Sequence, residues 1–230
     1  MSIKSLGSGM RYVPILKTKL GELGALQALT TQSGQRITPL LELHDVAPLK
    51  NTATLTKHAK NIAKAWPSGG AFYLDAAITG QYAGTTYPTS PSATYFSEMY
   101  STGLAVIPVT DPFRTQVYQS AVCSAIKNFG QGICIRITQD MLGVQNLGVI
   151  ILKLIEDAQA SPSEVDILLD LGDIPIIPPA AHPPYVAWLV GELNKIASIA
   201  AWRSLIIAGT SFPAVIQRSE EHTSELQSRL

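Results

Sequence analysis

Two cysteines, Cys123 and Cys134, form neither a CxxC pair nor a disulfide framework, so redox motifs and zinc-spaced thiolates are excluded. Charge is also scarce. Asp, Glu, Lys and Arg make up 15% of the chain, against about 25% in an average protein. The basic and acidic totals are both 17, which leaves no electrostatic footprint for nucleic acid or an anionic membrane surface. No apolar stretch reaches the roughly 18 residues of a membrane span, because Lys153 breaks one long run and Glu192, Asn194 and Lys195 break another. Met1 to Gly7 contain no apolar h-region, so no signal peptide is evident. The metalloprotease, P-loop and nucleophile-elbow patterns HExxH, GxxxxGK[ST] and GxSxG are missing as well. A soluble, cytoplasmic protein is the expectation.

What the chain does hold is 46% apolar residues, arranged in seven short runs. They cover residues 12–16, 37–41, 71–74, 104–109, 132–135, 165–169 and 205–208. Each is followed by a helical pattern or a turn-rich stretch, the rhythm of successive βα units. Most runs end in a polar or charged residue: Lys17, Glu42, Asp75, Thr110, Arg136 and Asp170. In a (β/α)8 barrel, side chains at the carboxyl ends of strands build the active site. The expected fold is therefore an α/β, TIM-like (β/α)8 barrel truncated after strand seven. The rival is an open doubly wound α/β sheet, whose GxGxxG phosphate signature is absent after the first run.

The end of the chain breaks the rhythm. Arg218-Ser219-Glu220-Glu221-His222-Thr223-Ser224-Glu225-Leu226-Gln227-Ser228 resembles the translation of a sequencing adapter. Residues 218–230 read as an artefact, and 1–217 as one barrel-like domain whose C-terminal part is missing. Without Arg218, Arg229, Glu220, Glu221 and Glu225, basic residues outnumber acidic ones by one.

Helical spacing is expected at Leu23, Leu26 and Leu29, and again at Leu55, Ala59, Ile62, Ala63 and Trp66. Further helical patterns cover 117–129, 147–158 and 185–202, with Asp140 as the expected cap before the second of these. Residues 79–94 read as a long polar loop, and Pro175, Pro178, Pro179, Pro183 and Pro184 stiffen another. Trp66, Trp188 and Trp202 read as core aromatics, Cys134 as a buried small hydrophobe, and His58 as an exposed residue.

Residues two apart on a strand share a face. That parity places Lys17, Glu42, Asp75, Arg136 and Asp170 together at one mouth as candidate catalytic residues. Three chemistries fit the set. Glu42, Asp75 and Asp170 could hold Mg²⁺ or Mn²⁺, with Lys17 and Arg136 stabilising a phosphoryl oxyanion. Two carboxylates could serve as acid and base on a glycosidic bond. Lys17 could act as a base or Schiff-base amine. Gly209, Thr210 and Ser211 follow the seventh run, where barrels bind phosphate through backbone N–H groups, although the same turn makes an ordinary helix cap. His44 stands two residues beyond Glu42 as an outlying candidate ligand. The competing explanation is charge pairing alone, Lys17 with Glu42 and Arg136 with Asp170.

Arg11-Tyr12-Val13-Pro14-Ile15-Leu16-Lys17-Thr18-Lys19-Leu20-Gly21-Glu22, followed by Ile37-Thr38-Pro39-Leu40-Leu41-Glu42-Leu43, resembles the beta protein family. Phe72-Tyr73-Leu74-Asp75 and Ile167-Leu168-Leu169-Asp170 are consistent with it. The resemblance implies a phage or mobile-element context and no catalytic assignment. Two function classes follow. One is an enzyme acting on a phosphorylated or sugar-containing small molecule at the mouth. The other is a non-catalytic protein that captures a host or phage partner there or on the loops 79–94 and 175–184.

Overall fold

In the computed structural model the described residues are 12–29, 34, 36–44, 52–66, 70–81, 90–174 and 178–210. Among these residues, seven strands lie in one sheet in the order in which they occur: β1 Ile15–Lys17, β2 Leu40–Glu42, β3 Phe72–Asp75, β4 Val106–Thr110, β5 Ile133–Thr138, β6 Val165–Asp173 and β7 Ser204–Thr210. Every neighbouring pair is parallel. The α-helices among the described residues are α1 Leu20–Gln27, α2 Thr52–Ala65, α3 Pro91–Ser101, α4 Gln116–Phe129, α5 Leu147–Asp157 and α6 His182–Ile199.

This order decides between the two expected folds. A doubly wound sheet reverses direction at a switch point and carries helices on both faces. Here the strand order never reverses, and the sheet curls like part of a barrel around its own apolar centre. Leu40, Tyr73, Ile107, Val109, Cys134 and Leu168 form that inner cluster, with Ile15, Ile206 and Ala208 half-buried at its two ends. The strand residues of opposite parity, such as Leu41, Leu74, Ile135 and Leu169, join the larger cluster beneath the helices. Burial on both faces explains why the strands read as apolar runs without alternation. Among the described residues, strands β1 and β7 are the two edges of the sheet.

Local sequence accounts for the helices. In α2 the buried stripe runs through Leu55, Ala59, Ile62 and Ala65, with Trp66 just beyond; Ala63 lies off its centre. Fully burying a Leu or Ile side chain of this kind contributes about 1.5–3 kcal/mol. Helix α3 falls inside and beyond the stretch expected to be loop. Ser90 starts it by accepting a hydrogen bond from the Ala93 N–H, and Pro91 supplies a fixed φ at the first helical position. Residues 82–89 of the expected loop lie outside the described residues, as do 175–177 of the proline-rich one. Asp140 does not cap α5. It accepts from the Thr138 hydroxyl in a short 3₁₀ turn, and Asn146, in the left-handed region, precedes the helix.

The other single-residue expectations divide. Cys134 is buried. Trp66 is buried and donates to the Gly70 carbonyl at 2.7 Å. Trp202 packs against the core with its indole N–H on the Ile196 carbonyl, whereas Trp188 stays 39% exposed against Tyr185. His58 is half-buried, not exposed, because its Nδ1 lies 2.8 Å from the hydroxyl of the buried Tyr95. Among the described residues no helix is long and apolar enough to cross a membrane.

Candidate functional site

The strand register builds the site. Lys17 is level with Glu42, and Glu42 with Asp75, across the first three strands. On the far side, Thr138 is level with Asp170. Arg136 lies one inward-facing position before the mouth, and its long side chain spans the gap between the two groups of carboxylates. Its Nη1 donates to Glu42 Oε1 at 2.5 Å and to Asp75 Oδ2 at 3.0 Å. Its Nε and Nη2 both donate to Asp170 Oδ2, at 2.8 and 2.5 Å. Four of the five predicted residues therefore meet around one guanidinium.

Lys17 does not join them. Its side chain is exposed and makes no ion pair among the described residues, while its backbone N–H is taken by the Glu22 carboxylate. The expected Lys17–Glu42 pair is thus replaced by Arg136–Glu42, and the expected Arg136–Asp170 pair is present. The physical reason is position: β1 is an edge strand, where a lysine keeps its strongly hydrated ammonium in water.

Two residues complete the site without having been expected there. Asp111 and Arg114 follow β4. Arg114 Nη2 donates to Asp75 Oδ2 at 3.3 Å, and its Nε pairs with Asp111 Oδ2. The ring of Tyr118 lies 6.0 Å from the Arg114 guanidinium carbon, while the Tyr118 hydroxyl donates to the Val109 carbonyl and accepts from the Ala76 N–H. Strands β3 and β4 and helix α4 are tied at this point. The sequence signal was the charged Asp-Pro-Phe-Arg turn after the fourth run; Asp111 shares the inward parity of Ile107 and Val109, but the residue closing that run is Thr110, whose hydroxyl meets Gln119 of α4 instead.

The three aspartates share one device. Asp75 Oδ1 accepts from the Ala77 N–H at 3.0 Å, Asp111 Oδ1 from Phe113 at 2.8 Å, and Asp170 Oδ1 from Gly172 at 2.9 Å. Each is an Asx turn to the residue two positions on. One oxygen thus fixes the loop, and the other is presented to an arginine. Glu42 has no such turn. Its Oε1 is bound by Arg136, and its Oε2 has no partner among the described residues. Its side chain is also 25% exposed, against 5% for Asp75 and 10% for Asp170.

Burial alone would lower the pKa of Arg136, but hydrogen bonds and charge from Glu42 and Asp170 outweigh it and raise it above the ordinary guanidinium value. The cation is permanent at any working pH. It occupies the centre where a divalent ion bound jointly by Glu42, Asp75 and Asp170 would sit. Among the described residues no three His, Cys, Asp or Glu side chains are disposed to hold a metal. The donor set therefore does not fit the expected Mg²⁺ or Mn²⁺. The expected phosphate turn also differs: Gly209 and Thr210 are still strand, with the Thr210 carbonyl accepting from the Ile174 N–H at 2.7 Å, and Ser211 lies outside the described residues. His44 is exposed, and its backbone N–H reaches the Thr18 hydroxyl.

A second polar network lies deeper. Asp166, fully buried on β6, accepts from Tyr73 Oη at 2.9 Å, Arg203 Nε at 2.9 Å, Arg203 Nη2 at 2.5 Å and Ser204 Oγ at 2.7 Å. Arg203 Nη1 also donates to the Gln131 carbonyl at 2.7 Å. Gly132 permits this approach: its φ is +75°, and a Cβ there would lie 2.1 Å from the Glu164 carbonyl oxygen and 2.9 Å from Arg203 Nη1. Burial and the Asp166 charge push the Tyr73 phenol far above its ordinary pKa, and burial does the same for Tyr95 and Tyr118.

Those three tyrosines bear on alkaline stability. A phenol kept protonated in the folded state but free to ionise in the unfolded chain contributes stability that is intact below about pH 10 and lost above it. Three of the eight tyrosines should thus gain phenolate absorbance only as circular dichroism reports unfolding. Eight phenols ionising together while the fold persists would contradict this burial.

The same strands and helices are matched along their length by one family. The Beta protein family model covers residues 12–230. The chain belongs to the Beta protein family. No curated protein matches it. Among solved structures, a GH18 chitinase from Pseudoalteromonas aurantia is 12% identical, with a TM-score of 0.48, covering 84% of this chain and 76% of the chitinase. A GH128 endo-beta-1,3-glucanase from Amycolatopsis mediterranei, a mutant in complex with laminaripentaose, is 11% identical with a TM-score of 0.42; the match covers 87% of this chain and 89% of the glucanase. Neither likeness assigns a residue role to this family member.

Proposed function

We propose that this protein acts on a sugar-containing ligand at the carboxyl-end mouth of the strands, with Glu42 as the carboxylate that meets it. Glu42 Oε2, unpartnered among the described residues, carries this reading. The oxygens of Asp75, Asp111 and Asp170 are committed to backbone N–H groups and arginines, so of these four carboxylates Glu42 is the one with an oxygen open to exchange a proton with a ligand. Four carboxylates surround two arginines, an excess of negative charge that opposes a phosphorylated ligand and suits a neutral, hydroxyl-rich one. Sugar hydroxyls would donate to Glu42 Oε2 and accept from Arg114, whose side chain is 27% exposed.

The same accounting favours one second reading, a sugar-binding protein without cleavage. Hydrolysis by paired carboxyl groups needs a second carboxyl free to work, and the aspartates are engaged. Calorimetry and reducing-end assays with neutral oligosaccharides and sugar phosphates separate these outcomes. The expected result is binding of the neutral ligand, with Glu42→Gln lowering release of reducing ends by about 100-fold or more while the melting temperature holds. Binding that depends on Glu42 without any release establishes the second reading. Preference for the sugar phosphate, or no binding of either, overturns both.

A further inference from the structure

We infer that the groove between α4 and α5 is a second binding region for an extended sugar chain, continuous with the mouth through Arg114. This inference rests on the sugar reading of the mouth. The groove has a volume of about 750 Å³, within the roughly 300–1,000 Å³ of ordinary ligand sites. Arg114 belongs to both regions: it lines the groove and donates to Asp75 in the mouth.

The two walls differ in chemistry. Helix α4 contributes Gln116 and Ser120, a polar edge of amide and hydroxyl groups. Helix α5 contributes Val149, Ile150 and Leu154, an apolar wall. Such a pair matches a pyranose ring, which offers C–H surface on its faces and hydroxyls around its edge. The charges present do not select an ion, since Lys153 is held by Asp157 at 2.7 Å and Glu156 at 3.2 Å. A neutral chain longer than the mouth can hold would therefore gain contacts in the groove.

The test is calorimetry with linear neutral gluco-oligosaccharides of two and six units. The full-length protein should bind the six-unit chain at least about tenfold more tightly than the two-unit chain. Ser120→Trp, at an exposed helix position, should fill the groove and bring the two affinities to within about twofold, leaving the two-unit affinity unchanged. Gln116→Ala should weaken only the longer chain, and guards against a misfolded Ser120→Trp protein. Equal affinities in the unaltered protein, or an undiminished length preference in both variants, overturn the groove while sparing Glu42. Failure of both oligosaccharides to bind the unaltered protein overturns the mouth reading and the groove together.

Discussion

Asp166→Ala should destabilise the protein by about 3–5 kcal/mol, the cost of stranding a buried charge whose partner has been removed. The Arg203 side chain is only 13% exposed, and Asp166 is its carboxylate partner. Tyr73 and Ser204 would lose the same acceptor. Asp166→Asn should cost less, since an amide oxygen can still accept from Tyr73 or Arg203. Urea unfolding of the three proteins measures the difference. A loss below about 1 kcal/mol for the alanine variant would mean that Arg203 finds water or another acceptor, and that the network is dispensable.

The second large effect is at the mouth. Arg136→Met keeps much of the side-chain length but removes the cation shared by Glu42, Asp75 and Asp170. The carboxylates would then face one another with Arg114 reaching only Asp75 among them. A loss of about 3 kcal/mol is expected, toward the low end of the buried-pair range because Glu42 is partly solvated. Adding Asp170→Asn to Arg136→Met should recover part of that loss by removing one of the repelling charges. A double-mutant cycle reads this directly. Additive losses would show that repulsion is not what the arginine offsets. Arg136→Lys should fall between, since an ammonium keeps the charge but cannot reproduce the guanidinium fork.

These two networks show where sequence reading worked and where it stopped. Glu42, Asp75 and Asp170 were legible because each closes an apolar run, and strand parity then sends them to one face. Asp111 shares the inward parity of Ile107 and Val109, but it was hidden because it stands one residue beyond its strand, after Thr110 has closed the run. Asp166 was hidden differently. It lies within an apolar run and reads as a blemish in a strand, and its partner Arg203 is 37 positions away in the chain. Lys17 satisfied the parity rule and still stayed in solvent, because parity gives a direction and does not supply a partner.

The amino-acid sequence by itself determined the succession of buried strands and covering helices, because burial on two faces requires apolar runs and burial on one face requires helical stripes. It also determined membership of the Beta protein family, through residues matched along 12–230. Only the tertiary structure decided that the sheet is singly wound, that Arg136 sits among three carboxylates, and that Glu42 alone of those three keeps an oxygen unpartnered among the described residues. Those outcomes depend on distances between residues as far as 94 positions apart, and such distances are set by how the strands curl around a common centre.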